Sequence, residues 1–359
     1  GVLEPAVIEK EMGPFDATFH IPAFFEGGRT TKDGIHLLNG FPVHQTDFAK
    51  DRIFGYSTSS LSNWLEEKSK GNIQSNDVFH IRLQQLELAL LSRKGLLGLI
   101  SFLSSLKINR PVVVDAELPE HLEILVRAIR DLKKEKRFLF RSAASFINAL
   151  SGIPSVSNYK IDVLELRLKD ENLKPKPGLI VIGSHVKLAD EQLESLLQEE
   201  TCKGLEIDVL RFLHVYENLQ TSQLISDFQN HLLDRIKSIL ITNKTPVLYT
   251  SRKELLFDSV EDRMAFGLKL AEFLAVLVGH ICSEIGYIIS KGGITTQVLL
   301  CKGLHFKKVD LKGQIMPGLS LVSGHSNDNS CFPVITFPGN LGDKLTLVEA
   351  WKIMENKVN

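Results

Sequence analysis

The chain has 359 residues, 43% hydrophobic and 24% charged, which is enough for about two ordinary domains with cores of their own. Its 42 basic and 43 acidic residues leave a formal net charge of −1, which excludes a global pull toward nucleic acid or an anionic membrane surface. The four cysteines (Cys202, Cys282, Cys301 and Cys331) form no C-x-x-C pair, so no zinc or redox motif is signalled and a reducing, cytoplasmic compartment is expected.

The chain opens at Gly1, with no initiator methionine and no signal peptide pattern at that point, so a processed chain or a part of something longer is expected. Residues 3–12 read as a helix. The stretch "HIPAFFEGGRTTKDGIHLLNGFPVHQTDFAKD" (20–51) follows, with a hairpin turning near Asp33-Gly34 or Asn39-Gly40. Arg29, beside two glycines, is either a bidentate clamp for a carboxylate or a surface arginine on a turn. His44 is either a base or a hydrogen-bonded structural residue. Thr46, Asp47 and Asp51 follow it.

Short apolar, β-branched runs then alternate with helical patterns. The runs are "RPVVVDAE" (110–117), "KRFLFRSAA" (136–144), "PGLIVIGSH" (177–185), "TPVLYTSR" (245–252), "IGYIISKGG" (285–293) and "FPVITFPGN" (332–340). Runs of this length read as strands buried on both faces. The cluster Lys133-Lys134-Glu135-Lys136-Arg137 reads as the solvated end of a helix. The segment "LRLKDENLKPKPG" (166–178), charged and holding two prolines, reads as a linker. Residues 189–200 and 260–286 read as amphipathic helices, the second with acidic residues in its first turn. Its longest apolar part, 270–281, contains Glu272 and is too short to span a bilayer. The alternation predicts an α/β fold with mainly parallel sheets flanked by helices. The expected domains are 1–170 and 171–359, with no internal repeat and no low-complexity tract.

In open α/β sheets, ligands bind beyond the carboxyl ends of the strands. Four such ends in the second domain carry small polar residues: Gly183-Ser184-His185, Ser251-Arg252, Ser290 to Thr296, and Pro338 to Asp343. If the strands are parallel, these loops meet on one edge. Glycines let backbone N–H groups approach oxygens, a helix starting near Thr295 adds its unpaired N–H groups, and Lys291 or Arg252 can add charge. An anionic ligand, a nucleotide, is favoured over a set of plain turns. There is no G-x-x-x-x-G-K-[ST], G-x-G-x-x-G after a strand, H-E-x-x-H or G-x-S-x-G, which excludes P-loop, Rossmann, zinc-protease and α/β-hydrolase readings.

In order along nearly the whole chain stand "PAFFEGGRT…DGIHLLNGFPVHQTDFAKD", "FRSAASF", "VIGSHVKLADEQLESLL", "VLYTSRKE", "ISKGGITT", "MPGLSL" and "FPGNLGD". Together they resemble the four-carbon acid sugar kinase family, which includes 3-oxo-tetronate 4-kinases and D-threonate and D-erythronate kinases. The resemblance implies an amino-terminal α/β domain for the sugar acid, a carboxy-terminal α/β domain for ATP with Mg²⁺, and a site in the cleft between them. Ser184, Gly292, Gly293, Ile294, Thr295 and Gly339 match nucleotide-contacting positions, and Gly318 matches a turn flanking the same pocket. Arg29 is the candidate for the substrate carboxylate; no catalytic base is identified. Two departures stand out. The family's D-D-x-T-G and S-D-S-T-x-R-G motifs are not in this chain, so the natural protein is expected to be longer by on the order of a hundred residues. Ile294 replaces a residue that is often glutamate in relatives. The expected partner is a small sugar acid, not nucleic acid or membrane, and a homodimer is compatible with the reading. The alternatives are a non-catalytic nucleotide-binding fragment and a kinase of a different sugar acid.

Overall fold

A computed structural model describes residues 2–46, 49, 55–133, 135–152, 161–217, 222–252, 255, 257–325 and 331–357. The chain divides into two units, Gly1–Asn158 and Tyr159–Asn359, each with its own core. Asp47, Asp51 and Lys134 lie outside the described residues.

The first unit begins with α1 (Leu3–Met12), β1 (Ala17–Ile21), β2 (Arg29–Lys32), β3 (Ile35–Leu38), β4 (Phe41–Pro42) and α2 (Leu61–Lys68). It continues with β5 (Phe79–Ile81), α3 (Leu83–Leu91), α4 (Arg93–Ser105), β6 (Arg110–Val114), α5 (Pro119–Arg130), β7 (Phe138–Ser142) and α6 (Ala144–Ser151). Strands β5, β6, β1 and β7 form a parallel sheet in that order. Its central strand, β1, is absent from the sequence expectations because Thr18 and His20 interrupt its apolar run, yet all five of its residues are buried. Strands β2, β3 and β4 form a small antiparallel sheet. Both expected turn sites are turns: Asp33-Gly34 closes β2–β3 and Asn39-Gly40 closes β3–β4, each with positive φ at both residues, the geometry that suits a tight hairpin.

The buried Asp115 after β6 ties this hairpin to the parallel sheet. Its carboxylate accepts the N–H groups of Asp33 at 3.0 Å and Gly34 at 2.9 Å, and lies 2.9 Å from His80 Nε2. Of the basic cluster before β7, Lys133, Glu135 and Arg137 are exposed as expected but lie beyond the end of α5, and Lys136 is turned inward, donating to Asp16 Oδ1 at 3.0 Å and to Leu106 O at 2.5 Å.

The second unit contains α7 (Val163–Leu166), β8 (Leu179–Ile182), α8 (Lys187–Leu197), β9 (Cys202–Ile207), α9 (Val209–Glu217), α10 (Ser222–Ile241) and β10 (Thr245–Thr250). After these come α11 (Val260–Ile281), β11 (Ile288–Lys291), α12 (Gly293–Val298), β12 (Val309–Met316), β13 (Leu319–His325), β14 (Cys331–Phe337) and α13 (Thr346–Met354). The sheet order is β12-β13-β14-β11-β8-β10-β9. The five strands from β14 to β9 are parallel; β12 and β13 add an antiparallel hairpin. That hairpin was not expected. Much of β12 is exposed, so it carries no buried run, and its register shifts at Leu311/Gly313 and Gln314/Met316 break any alternation.

The segment expected as a linker is instead part of the second unit. Arg167 is buried, donates to Met354 O at 3.1 Å and pairs with Glu355 at 3.1 Å; Lys169 bridges Pro175. Arg167 thus satisfies groups of the fold, while Lys169, Glu171 and Lys174 stay exposed to water.

Helix α11 is capped by Ser259, whose side chain accepts the N–H of Asp262. The run Glu261–Glu284 is long and apolar enough to cross a membrane, longer than its sequence suggested. Its Leu270, Phe273, Leu274, Leu277, Val278 and Ile281 are buried in the core of the second unit. Each such side chain stabilises the fold by roughly 1.5–3 kcal/mol, so this is a core helix.

Candidate functional site

The adjacent parallel strands β14, β11, β8 and β10 end together, so the four loops expected to meet do share one edge of the sheet. Hydrogen bonds lace them. Gly183 N–H donates to Lys291 O at 3.1 Å and Gly292 N–H to Phe337 O at 2.9 Å. Arg252 Nη1 donates to Ser184 O at 2.6 Å, and Thr250 Oγ1 lies 2.9 Å from His185 Nε2. Ser184 sits at the centre of this mesh. A Cβ on Gly339 would come within 2.5 Å of Ser184 Oγ, and a Cβ on Gly183 within 2.0 Å of Thr295 Oγ1. The glycines are therefore what lets the loops approach.

Helix α12 starts at Gly293, two residues before the expected start. Gly292 is its N-cap, at φ +118°, a conformation that favours glycine, and offers no side-chain cap. The first helical bond is Thr296 N–H to Gly292 O at 2.9 Å. The N–H groups of Gly293, Ile294 and Thr295 lie ahead of that bond and have no intrahelical acceptor. Thr296 Oγ1 anchors the turn to Ser290 Oγ at 2.9 Å. Thr295 is buried, Gly293 faces open space, and the Ile294 side chain is 61% exposed. The helical run continues as a π turn through Leu299–Gly303. Gly318 closes the β12–β13 hairpin at φ +78°. It lies on the same sheet edge, because Ser320 pairs with Thr336 near the end of β14.

Beside these loops is a cavity of about 340 Å³ with a mixed lining. Val209, Leu255, Phe257, Phe266, Leu270 and Leu274 give it an apolar wall; its polar groups are His185, Asp190, Thr250, Arg252, Arg263 and Thr295. The apolar wall was not recognised in the sequence: Phe266, Leu270 and Leu274 fall in the helix read over 260–286, and Val209, Leu255 and Phe257 carried no reading. Arg252 stands 3.1 Å from Asp190 Oδ1 in an ion pair, without hydrogen-bond alignment, and its Nε and Nη2 are buried with no hydrogen-bond partner among the described residues. Burial pulls the Arg252 pKa down, with Asp190 opposing. Buried, unsatisfied guanidinium nitrogens lining a cavity are the fit expected for an anionic group.

Lys291 differs from its expected role as an accessible charge. It is fully buried, donates to Pro338 O at 3.2 Å and lies 4.0 Å from the Phe337 ring centroid. Burial, with Arg252 adding repulsion, pushes its pKa down to about 7. Among the described residues, no group of three or more His, Cys, Asp or Glu could hold a metal ion.

The first unit has its own pocket, about 180 Å³, lined by Arg29, Arg141, His20, His36, Tyr56 and Ser59 among others. Arg29 thus lies in a pocket and not on a plain surface turn. Burial lowers its pKa; the neighbouring Tyr56 opposes this and Arg141 adds to it. Its guanidinium also lies 5.2 Å from the Phe24 ring centroid. Arg141, His20 and His36 were not singled out in the sequence, although "FRSAASF", "HIPAFF" and "DGIHLL" hold them. His44 is structural: its ring Nδ1 lies 2.7 Å from Ser59 Oγ, which also accepts the His44 N–H at 2.8 Å. Thr46 Oγ1 donates to Val43 O at 2.7 Å.

Comparison with known proteins matches both units. A model of a sugar-binding N-terminal domain matches residues 2–150, and one of a nucleotide-binding C-terminal domain matches residues 179–347. A D-threonate kinase of Salmonella typhimurium is 23% identical over 346 residues, spanning 93% of this chain and 72% of that protein. Two solved structures share the fold at 17% identity. A Salmonella typhimurium LT2 protein provisionally named a tRNA synthase has a TM-score of 0.64, over 97% of this chain and 75% of its own. Haemophilus influenzae protein HI1011 has a TM-score of 0.56, over 98% and 77%.

Proposed function

The chain belongs to the four-carbon acid sugar kinase family, and on that premise we propose that it transfers a phosphoryl group from ATP to a terminal hydroxyl of a four-carbon acid sugar of the 3-oxo-tetronate, threonate or erythronate type. One observation carries the nucleotide half of this reading. Four parallel strand ends converge on Ser184 beside a cavity whose arginine has buried, unpartnered nitrogens.

ATP would supply the transferred group, and Mg²⁺ would be held mainly by its phosphates and would neutralise their charge, since no group of three or more His, Cys, Asp or Glu among the described residues could hold a metal ion. The uncapped N–H groups of Gly293, Ile294 and Thr295 hold phosphate oxygens, helped by the dipole of the helix they open. Ser184 and Gly339 shape the floor of that site through their mutual contact. Arg252 adds charge to the cavity lining and holds the Ser184 carbonyl. The apolar wall takes the base. Arg29 takes the substrate carboxylate in the first unit. Asp115 and His44 do not serve as the base, since backbone N–H groups and Ser59 occupy them.

Titration calorimetry of the chain with Mg·ATP and with D-threonate and D-erythronate separates this reading from its rival. Binding of both ligand classes is expected; binding of ATP alone favours a non-catalytic nucleotide-binding module. Turnover assays over aldonic and keto acids of different lengths then test the carbon number. No turnover with any of them, by a version carrying the family's amino-terminal motifs, sinks the kinase assignment.

A further inference from the structure

One buried polar atom in the first unit has no internal explanation. His20, on β1, is 4% exposed, and its Nδ1 has no hydrogen-bond partner among the described residues. His20 lies in register with Arg141 on the neighbouring parallel strand β7, and both line the 180 Å³ pocket that holds Arg29. The lining described there has two guanidiniums, two imidazoles and no carboxylate.

The chemistry of these groups divides the work. Guanidiniums only donate, so they suit a carboxylate. The imidazoles are neutral at pH 7. Burial and then Arg141 push His20 down to about 4, and burial and then Arg29 push His36 down to about 4. A neutral imidazole beside a carboxylate site can meet a hydroxyl, accepting or donating according to its tautomer. His36 is already engaged, with Nδ1 3.2 Å from Thr31 Oγ1. His20 Nδ1 is not.

From this juxtaposition we infer that His20 is the residue that reads the 2-hydroxyl of a 2-hydroxy acid whose carboxylate lies on Arg29 and Arg141. The inference rests on the reading of this pocket as the acid-sugar site. A simple carboxylate uses the arginines and leaves His20 unsatisfied. A 2-hydroxy acid satisfies all three, so the pocket selects by the atom next to the carboxylate.

Titration calorimetry of the full chain with D-erythronate, D-threonate and 3,4-dihydroxybutanoate, which lacks the 2-hydroxyl, tests this. The hydroxy acids are expected to bind about 10- to 100-fold more tightly than the deoxy acid, the usual effect of leaving a buried polar group unpaired. His20→Leu is expected to erase that ratio by weakening the hydroxy acids alone. His20→Asn, whose amide reaches the Nδ1 position, is expected to keep most of it. Equal weakening of all three acids in His20→Leu overturns the assignment and leaves the acid site standing. So does a wild-type ratio near one, which decides the matter even if the leucine variant fails to fold. If no acid binds the wild type, the acid-site reading falls and the assignment falls with it.

Discussion

In the second unit, what is offered to a ligand is mostly backbone: the N–H groups at the start of α12 and glycines packed so closely that a Cβ on Gly183 would sit 2.0 Å from Thr295 Oγ1. In the first unit it is side chains, with Arg29, Arg141 and His20 projecting into a pocket. A backbone site recognises phosphate, which every nucleotide carries, and depends on where side chains are absent. A side-chain site can be tuned to one acid, and depends on which side chains are present and in what charge state. Under the proposed function, the two units should therefore fail differently.

The largest expected effects are reciprocal. Arg29→Ala should weaken acid binding by about 100-fold or more, the scale for truncating one partner of a buried charge pair, and leave ATP affinity within about twofold. Gly293→Asp should weaken ATP by at least about 100-fold, because a carboxylate then faces phosphates, and leave acid binding alone. Nothing lies within 4 Å of a Cβ at Gly293, so its melting temperature should not move. Calorimetry with both ligands checks the pair; loss of both ligands in either variant would break the division between the units.

Next in size is Gly183→Ala. Its Cβ must displace Thr295, and overpacking of this kind costs about 1–3 kcal/mol. Urea unfolding of the second unit should show the loss, together with weaker ATP binding.

Acidity should also separate the units. His20 and His36 titrate near 4 in the fold and near 6.5 when unfolded, so between those values only the unfolded chain takes up their protons. The first unit should lose stability as pH falls from 6.5 to 4, by on the order of 3 kcal/mol per histidine at most. Lys291 titrates at about 7 in the fold against 10.5 unfolded, so the second unit should gain stability as pH rises from 7 toward 9. Above that range Cys202, pushed up to about 12 by burial, and the buried Tyr287 oppose the gain. Each unit carries one tryptophan, Trp64 in α2 and Trp351 in α13. Urea unfolding of Trp64→Phe and of Trp351→Phe, followed by the remaining indole, reports the second and first units in turn. Parallel pH profiles would count against both shifts.

The smallest effect belongs to Ile294→Ala. An exposed side chain should matter by less than about 0.5 kcal/mol to stability and about twofold to ATP affinity, if the backbone N–H does the binding. A large fall would assign the contact to the side chain.

The second unit was far more legible in the sequence than the first. Its strands β8, β10, β11 and β14 are largely apolar runs followed by small polar residues and glycines, so period and punctuation both point to the loops at Ser184, Gly292 and Gly339. In the first unit, β1 carries His20, which lines the pocket, inside the strand, and that polar residue disguises the strand. Arg141 sits within β7, which still reads as a strand because its apolar neighbours outweigh the one charge. Sites built from strand-borne side chains blur the pattern used to find strands, while sites built from loops beyond strands leave it intact. Lys291 shows the converse limit: its position after an apolar run suggested an accessible charge, and only packing against Phe337 and Pro338 reveals a buried amine.

The antiparallel hairpin at the margin of the large sheet bears on how copies of the chain behave in a crowded solution. Without it, the last strand would be β14, a mostly buried strand with an unpaired hydrogen-bonding side. With it, the margin is β12, where Lys308, Asp310 and Lys312 alternate with Val309 and Leu311 and the ladder slips twice. Irregular, charged margins resist pairing with a neighbour's strand. The opposite margin, β9, likewise turns Lys203 and Glu206 outward. Both margins of the sheet thus carry charge that disfavours pairing with a neighbour's strand.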